Sequence, residues 1–298
     1  MAGHAARDTV VTMRVAAVQM SCDSDRDSNF PRAAGLVGAA AADGAELVVL
    51  PELFASLDRN SVMRTKSETA DGPTCSWAAG IAEAHSIWLV AGSFIERDGD
   101  RLFNTSCLFD PNGKLRATYR KIHLFDVELG DTISRESDTF SAGDQPVTAP
   151  LQDAPVQDAV DGDAVVGMTI CYDLRFPELF RIETLLGATI ITVPSAFTAA
   201  TGPDHWEPLL RARAIENQVA IVAAAQWGTG PDGTKRHGHA LIVDAWGRVL
   251  ANAGSEGDAV VAADIDPDEI RAIRTRLPSL ANRQPEAYRW PAGNQADN

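Results

Sequence analysis

The chain has 298 residues, of which 45% are hydrophobic, and carries a formal net charge of −15 from 26 basic and 41 acidic residues. This length and hydrophobic content predict one large α/β domain with a sizeable core. An acidic surface repels phosphate groups, so we expect neither nucleic acid nor an anionic membrane as a partner. The four cysteines form no Cys-x-x-Cys pair, and no apolar run approaches the roughly 20 residues that span a bilayer. These features favour a cytoplasmic protein with free thiols and no metal site.

Short segments rich in Val, Ile and Ala alternate with segments of helical periodicity. Met1–Thr12 lacks an apolar signal core, so we predict a flexible extension, then one domain over residues 13–277 and a polar tail over 278–298. The predicted strands are Arg14–Met20, Glu46–Glu52, Ile87–Glu96, Asn104–Asp110, Ala164–Asp173, Thr189–Phe197, Ala220–Trp227, His239–Asp244 and Ala259–Asp264. The predicted helices are Asn29–Asp43, Thr74–His85, Pro177–Leu186, Asp204–Gln218 and Asp266–Arg276. Several strands are apolar on both faces, which is typical of strands buried between layers.

Turns and loops connect these segments. Asp-Pro-Asn-Gly at 110–113 and Asp-Ala-Trp-Gly at 244–247 predict hairpin connections. Gln145–Asp163 is rich in Pro, Asp and Gln, and we predict a surface loop there.

Glu52 closes an apolar predicted strand, where α/β proteins often place their sites. A carboxylate in that position is partly desolvated, so we expect a raised pKa that suits a general base near neutral pH. The same local pattern also fits a carboxylate that caps a neighbouring turn.

Cys171 lies where a predicted strand ends, shortly before a helix that begins at Pro177. A sharp strand-to-helix turn of this kind exposes a nucleophile and aims the following backbone N–H, that of Tyr172, at a substrate oxygen. A lone cysteine is more often an inert buried residue, and Cys22, Cys75 and Cys107 fit that description better.

Lys121 stands among apolar residues in Tyr-Arg-Lys-Ile-His-Leu-Phe at 119–125. A fixed cation there suits stabilisation of an anionic intermediate, although most lysines lie on the surface. Glu136 follows on the chain and is predicted to pair with Lys121 and orient it.

Histidines offer a rival chemistry, because a papain-like site pairs a cysteine with a histidine. His123 and His205 are available, and His237 and His239 form a His-Gly-His pair. Yet no cysteine-protease signature surrounds Cys171, and no further metal ligands lie near the pair. We therefore expect structural or solvent-facing roles for these histidines.

Three motifs together resemble the nitrilase superfamily of carbon–nitrogen hydrolases, whose members use a Glu–Lys–Cys triad. They are Leu-Pro-Glu-Leu-Phe at 50–54, Tyr-Arg-Lys-Ile-His-Leu at 119–124 and Cys-Tyr-Asp-Leu-Arg-Phe-Pro-Glu at 171–178, in family order and with family-like spacing. The resemblance covers about residues 13–290. Pro-Ser-Ala-Phe at 194–197 and the segments at 201–207 and 211–216 look like the branch of omega-amidase and deaminated glutathione amidase.

The resemblance implies a four-layer α-β-β-α sandwich without a metal or organic cofactor. It also implies a homodimer formed through the helices Pro177–Gly187 and Asp204–Gln218, with the C-terminal tail crossing to the partner. Glu52, Lys121, Cys171 and Glu136 are the predicted catalytic residues, with the Tyr172 N–H at the oxyanion. The predicted substrate contacts are Phe54, Arg175, Ser195, Ala196 and Phe197, with Arg211 and Arg213 as further candidates for a substrate carboxylate. Each of these arginines is equally suited to an ion pair with a nearby glutamate, namely Glu178, Glu207 or Glu216.

The resulting hypothesis is an amidase that hydrolyses the terminal carboxamide of a small carboxylate-bearing substrate to an acid and ammonia. Deaminated glutathione and 2-oxoglutaramate are the substrate types that the resemblance implies. Cys-Tyr-Asp at 171–173 speaks against nitrile hydrolysis, because true nitrilases carry Cys-Trp-Glu. Hydrolysis of N-carbamoyl compounds by the same triad is the alternative reaction, and an inactive binding or scaffold homologue is the alternative class. Asp126–Arg135 departs most from the family pattern, so the role of this loop in specificity is open.

Overall fold

The computed structural model describes residues 12–129, 132–152 and 164–288. Six α-helices lie in these ranges: α1 Arg26–Ala42, α2 Asn60–Met63, α3 Pro73–His85, α4 Pro177–Leu185, α5 Gly202–Asn217 and α6 Pro267–Arg276. Short 3₁₀ turns add Arg64–Lys66, Glu136–Asp138, Cys171–Arg175 and Pro285–Ala287. Within the described part of the chain, no helix combines the length and apolar character needed to cross a membrane.

The first β-sheet has nine strands among the described residues and runs in the order β14-β13-β1-β2-β3-β5-β4, with β17 paired to β1 and β6 paired to β5. Its strands are β1 Met13–Met20, β2 Leu47–Val49, β3 Trp88–Val90, β4 Phe94–Asp98, β5 Arg101–Phe109, β6 Leu115–Arg120, β13 Ala225–Thr229, β14 Lys235–His237 and β17 Ala259–Ile265. β1, β2 and β3 are parallel, as their connections through α1 and α3 require.

The second sheet has six strands in the order β16-β15-β12-β11-β10-β9. They are β9 Thr148–Pro150, β10 Val165–Met168, β11 Ile190–Thr192, β12 Ala220–Ala223, β15 Leu241–Val243 and β16 Val249–Asn252. A separate two-stranded hairpin joins β7 Asp126–Leu129 to β8 Thr132–Arg135.

The two sheets pack face to face with helices on both outer sides. Alternate side chains of β1 point in opposite directions, so Val15 and Ala17 join the apolar layer against the second sheet. Ala16 and Val18 join the layer against α1 and α3 instead. The helices α4, α5 and α6 cover the second sheet with buried apolar residues. This is the four-layer α-β-β-α sandwich that the resemblance implied, and the prediction of fold class is confirmed.

The predicted strands occupy the right places, but several are too long. Ala164–Asp173 ends as a strand at Met168, before the 3₁₀ turn that begins at Cys171, and Thr189–Phe197 ends as a strand at Thr192. Ile87–Glu96 divides at Gly92 (φ 48°), where a side chain would overlap the carbonyl oxygen of Pro51, so only glycine lets the two segments approach beside Glu52. Ala220–Trp227 divides at Ala224, where the chain leaves the second sheet for the first. This crossing joins the two sheets directly behind the candidate site.

The five predicted helices and both hairpin turns are present, and Asp266 caps α6 by accepting a hydrogen bond from the Asp268 N–H at 2.8 Å. The predicted loop at 145–163 is wrong in part, since Thr148–Pro150 pairs with β10 at the sheet edge. Residues 153–163 of that loop lie outside the described residues, as do residues 1–11 and 289–298 of the predicted extension and tail.

Candidate active site

Cys171 lies at a strained turn between β10 and α4. Its backbone has φ 46°, a left-handed value that is rare for a residue with a side chain, and it begins the 3₁₀ turn Cys171–Arg175. Its N–H donates to the Pro194 carbonyl at 2.9 Å. Because N–H groups in the first turn of a helix lack an intrahelical acceptor, that of Tyr172 is suited to donate a hydrogen bond to a substrate oxygen. The turn therefore has the geometry of a nucleophile elbow.

Asp173 fixes this elbow from behind. Its fully buried carboxylate accepts the Ile170 N–H at 2.8 Å and the Tyr119 hydroxyl at 2.7 Å. The other oxygen accepts the His123 N–H at 3.1 Å and contacts Nδ1 of the same histidine at 2.8 Å. Four contacts to a buried carboxylate hold the positive-φ turn in place, because leaving any of them unmade costs free energy.

Glu52 follows β2, at the facing end of the first sheet. Its Oε1 accepts hydrogen bonds from Lys121 Nζ at 2.9 Å and from Asn104 Nδ2 at 3.0 Å, and its Oε2 accepts the Ala196 N–H at 2.8 Å. The Cys171 thiol lines the same cavity as this carboxylate, and the Glu52 charge acts on it. Glu52 is thus positioned by the first sheet and directed at a nucleophile carried by the second.

Lys121 extends from the end of β6 and is only 2% exposed. Besides Glu52, it donates to both oxygens of Glu136, at 3.1 and 2.8 Å. The Phe125 N–H and Asn104 Nδ2 also donate to Glu136, at 2.6 and 3.2 Å. Lys121 is therefore fixed between two carboxylates, in the arrangement that the sequence predicted for Glu136.

The charges of this cluster control its protonation. Burial alone raises the pKa of Glu52, but the Lys121 ammonium and the hydrogen bonds around the carboxylate outweigh it, so the pKa of Glu52 is lowered. The prediction of a raised Glu52 pKa is therefore wrong, because the sequence does not show which cation meets this strand end. Burial opposes the charged form of Lys121 as well, yet Glu136 and Glu52 raise its pKa well above the ordinary value.

The thiol behaves in the opposite way to Glu52. Burial, and then the Glu52 carboxylate, raise the pKa of Cys171. The resting site therefore holds a neutral thiol, an ionised Glu52 and a charged Lys121. With Glu136, the cluster of one cation and two anions carries a net charge of −1.

A cavity of about 450 Å³ opens above this cluster. Of the predicted site residues, its wall contains Glu52, Lys121, Glu136, Cys171, Tyr172, Arg175, Ala196 and Phe197. Phe54 and Ser195 lie outside this wall, and their predicted contact with substrate stays a prediction. Leu53 (φ 51°) turns the chain so that Leu53 faces the cavity while Phe54 packs in the core near Phe30 and Trp77. Ser195 is fully buried behind the wall.

Of the three arginines predicted as candidates for binding a substrate carboxylate, Arg175 is the one that lines the cavity. Its guanidinium contacts Thr201 Oγ1 at 3.3 Å and His205 Nδ1 at 3.2 Å and lies over the rings of Tyr172 and Phe197. Within the described ranges it forms no ion pair with a carboxylate. Arg211 and Arg213 lie outside the cavity wall, paired with Glu207 and Glu216 respectively.

The histidines have other positions. His123 is bound to Asp173 and stacks on Phe176, and His205 contacts Arg175. His237 and His239 stack on each other at 4.5 Å, and burial lowers the pKa of His237 to about 4, with His239 adding to the shift. Among the described residues, no group of three or more His, Cys, Asp or Glu side chains is arranged to hold a metal ion.

The comparisons with known proteins agree with this geometry. The sequence matches the carbon-nitrogen hydrolase family over residues 14–275. The chain belongs to this family. It is 39% identical over 272 residues to the deaminated glutathione amidase of Synechocystis sp., covering 90% of this chain and 97% of that protein. It is 37% identical over 278 residues to omega-amidase NIT2 of Mus musculus, covering 93% and 97%.

Comparison with solved structures supports the same family assignment. The crystal structure of Saccharomyces cerevisiae Nit3, a member of branch 10 of the nitrilase superfamily, superposes with a TM-score of 0.80 at 32% identity and covers 93% of this chain and 97% of that one. The protein is thus a hydrolase acting on carbon–nitrogen bonds other than peptide bonds.

Sequence reasoning missed two polar groups of this carbon–nitrogen hydrolase. Asn104 bridges Glu52 and Glu136 from β5, and Gln226 Nε2 donates to the Glu52 carbonyl at 2.6 Å from β13. Asn104 begins the predicted strand Asn104–Asp110 and Gln226 lies inside the predicted strand Ala220–Trp227. Both side chains are buried, and a buried polar side chain signals a partner. That signal was present, but the sequence does not say which partner it has.

Proposed function

We propose that this carbon–nitrogen hydrolase is an amidase for small carboxylate-bearing amides of the 2-oxoglutaramate or deaminated glutathione type. One observation carries the proposal: at the base of the cavity, a single buried cluster joins Glu52, Lys121 and Cys171. Relatives named as amidases for such compounds, at 37–39% identity over most of the chain, support the substrate class.

The first half-reaction forms a thioester. Glu52 accepts the thiol proton of Cys171, and the sulfur attacks the amide carbon to form the S–C bond. Glu52 then returns the proton to the amide nitrogen as the C–N bond breaks. A primary amide releases ammonia, whereas deaminated glutathione, whose amide nitrogen carries the rest of the peptide, releases an amine.

The second half-reaction reverses these roles. Glu52 takes a proton from water while the water oxygen attacks the thioester carbon. The S–C bond breaks, the thiol regains its proton from Glu52, and the carboxylic acid leaves. Because each proton moves between Cys171, Glu52 and the substrate, the net charge of the buried cluster stays at −1 until an oxyanion forms.

The oxyanion is the species that Lys121 is placed to stabilise. Its raised pKa keeps the ammonium charged at neutral pH, so it serves as a fixed cation rather than a proton donor. The Tyr172 N–H is the second donor, and each such donor contributes roughly 3–4 kcal/mol in comparable oxyanion holes. Glu136 acts through Lys121 as a positioning residue.

We assign the substrate carboxylate to Arg175. It is the cavity-lining cation beside Tyr172 and Phe197, and its protein partners, a hydroxyl and a histidine, leave its charge without a carboxylate. A planar guanidinium suits two-point binding of a carboxylate.

A substrate panel tests this function. We expect 2-oxoglutarate to form from 2-oxoglutaramate or deaminated glutathione, with no carbon dioxide from N-carbamoyl-β-alanine. Arg175→Gln should raise KM about 10- to 100-fold through loss of a charged hydrogen bond, while Arg211→Gln, outside the cavity, should not. Preferential release of carbon dioxide would instead favour N-carbamoyl hydrolysis, and a wild-type protein inactive on the whole panel would favour a binding homologue.

We also propose a homodimer formed through α4 and α5. These helices and the turn after α4 expose apolar side chains: Ile182 (44%), Leu185 (52%), Leu186 (47%) and Ile215 (50%). Leu185→Glu should give a monomer in light scattering, and Leu115→Glu, an exposed apolar position on the other sheet, should not. An unchanged mass for Leu185→Glu would remove this surface from the interface.

The domain boundaries and the location of the protein belong to the same proposal. We place the catalytic domain at residues 13–277 and expect residues 278–298 to pack on the partner subunit, which removal of the tail tests through the dimer dissociation constant. All four cysteines are free thiols, which is typical of proteins in a reducing compartment and supports the cytoplasm. Cell fractionation tests that location.

A further inference from the structure

The segment Pro194–Ala196 lies between the nucleophile and the base. The Pro194 carbonyl accepts the Cys171 N–H at 2.9 Å, and the Ala196 N–H donates to Glu52 Oε2 at 2.8 Å. Between them, the Ser195 carbonyl accepts the Gln226 N–H at 2.9 Å. Three consecutive residues are thereby fixed against the reacting groups, and the middle one carries a hydroxyl.

The hydroxyl of Ser195 has no obvious structural use in the resting site. The residue is fully buried, and its Oγ has no hydrogen-bond partner among the described residues. A buried hydroxyl without a partner is unusual, since it has lost its hydration without compensation. Ser195 does not line the cavity, so substrate cannot provide that partner directly.

The hydroxyl lies beside Cys171, because the preceding residue, Pro194, accepts the Cys171 N–H at 2.9 Å. Burial and Glu52 raise the pKa of the thiol, whereas contact with Ser195 and the charge of Lys121 lower it, so the serine favours the charged form of sulfur. In the resting state the sulfur is a neutral thiol, which is a weak acceptor. A thiolate is a strong acceptor, and hydrogen bonds to charged groups are roughly twice as strong as neutral ones.

We propose that the Ser195 hydroxyl donates a hydrogen bond to Sγ of Cys171 whenever the sulfur carries negative charge. Ser195 is then a catalytic residue of the proposed amidase rather than a substrate contact. The bond forms as the thiol proton passes to Glu52, weakens once the sulfur is bound in the thioester, and forms again as the sulfur leaves. Because it is stronger in the charged state than in the resting state, it accelerates both half-reactions.

Alkylation of Cys171 by iodoacetamide tests this proposal without any substrate. The rate at one fixed neutral pH, followed at the Cys171 peptide by mass spectrometry, reports how readily the thiol ionises beside its charged neighbours Glu52 and Lys121. Ser195→Ala should lower this rate about 10- to 100-fold, as expected for a thiol pKa about one to two units higher. With the amide substrate, kcat should fall roughly 10- to 150-fold while KM changes little.

Ser106→Ala is a matched control. Ser106 is also buried, and its Oγ also lacks a hydrogen-bond partner within the described chain, but it lies on β5 outside the cavity wall. The proposal is overturned if both variants are alkylated at the same rate at this pH, or if the Ser195→Ala loss lies in KM alone. A wild-type protein without amidase activity would refute the proposed function, while the alkylation result would still decide the role of Ser195.

Discussion

Replacing Glu136 by glutamine tests how Lys121 is held. The Glu136 carboxylate accepts four hydrogen bonds: two from Lys121, one from Asn104 and one from the Phe125 N–H. All three partners are donors, and each carboxylate oxygen accepts two of the four hydrogen bonds. An amide NH₂ in place of either oxygen therefore meets two donors, and two of the four hydrogen bonds are lost in either orientation.

The size of the effect follows from these bonds. Hydrogen bonds to a charged group are worth about 1.5–3 kcal/mol each, so two represent about 3–6 kcal/mol of local interaction before relaxation. Glu52 still pairs with Lys121, which keeps the cation buried with a partner and the fold intact. If the loss displaces the Lys121 ammonium from the oxyanion, kcat should fall about 100- to 1,000-fold, as for loss of one oxyanion donor.

Steady-state hydrolysis of 2-oxoglutaramate, read as 2-oxoglutarate formed, measures this loss. Glu128→Gln is the matched control, because Glu128 lies on the same hairpin, is 66% exposed and pairs only at the surface with Arg135. The reasoning is refuted if Glu136→Gln keeps the kcat of this control, or if only KM changes while thermal stability is normal.

Two further predictions concern buried carboxyl groups. Burial raises the pKa of Glu183 well above 4.5, and Asp173 adds to the rise. Above pH 4.5 the native state therefore holds a proton that the unfolded state releases, so the unfolding free energy falls as the pH rises. Glu183→Met should raise the unfolding free energy at pH 7.5 by about 1–3 kcal/mol and flatten this pH dependence in urea titrations, whereas an unchanged slope would contradict it. Asp173→Asn should lower the unfolding free energy by about 2–4 kcal/mol, because the NH₂ group of the asparagine faces at least one group that donated a hydrogen bond to the carboxylate. A loss under about 1 kcal/mol would contradict the anchoring role.

The sequence was most informative where local pattern and chemistry coincide. Glu52, Lys121 and Cys171 stand at ends of apolar segments, and the structure brings all three to one cavity. The ends of the strands were harder to predict from the sequence. A run of apolar residues can continue through a bend, and the position of that bend depends on contacts with distant residues. The segment through Cys171 reads as one strand, yet it turns at positive φ because Asp173 binds partners from β6 and the loop after it.

The electrostatics of the site were not predictable for the same reason. Glu52 and Lys121 are 69 residues apart, so nothing local to Glu52 shows the cation that lowers its pKa. The hairpin of β7 and β8 was also missed, since its polar strands belong to neither buried sheet. This hairpin delivers Glu136 to Lys121, which gives a physical role to the segment that departs most from the family pattern.

The low pKa of Glu52 changes the expected mechanism in one respect. A base with a raised pKa would hold the thiol proton readily, whereas this carboxylate favours its charged form and the thiol its neutral form. Proton transfer is therefore unfavourable in the empty site. In the proposed mechanism it becomes favourable as sulfur attacks and the new charge moves to the substrate oxygen beside Lys121, so we expect deprotonation and attack to be coupled.

The covalent intermediate on Cys171 is the most direct test of the central claim. Wild-type protein mixed with 2-oxoglutaramate, quenched in acid within the first turnovers and examined by intact-mass and peptide mass spectrometry, should carry the substrate's acyl group on the Cys171 peptide. Cys171→Ala should show neither the adduct nor turnover. Continued hydrolysis by Cys171→Ala, or an acyl group found on another residue, would contradict the account.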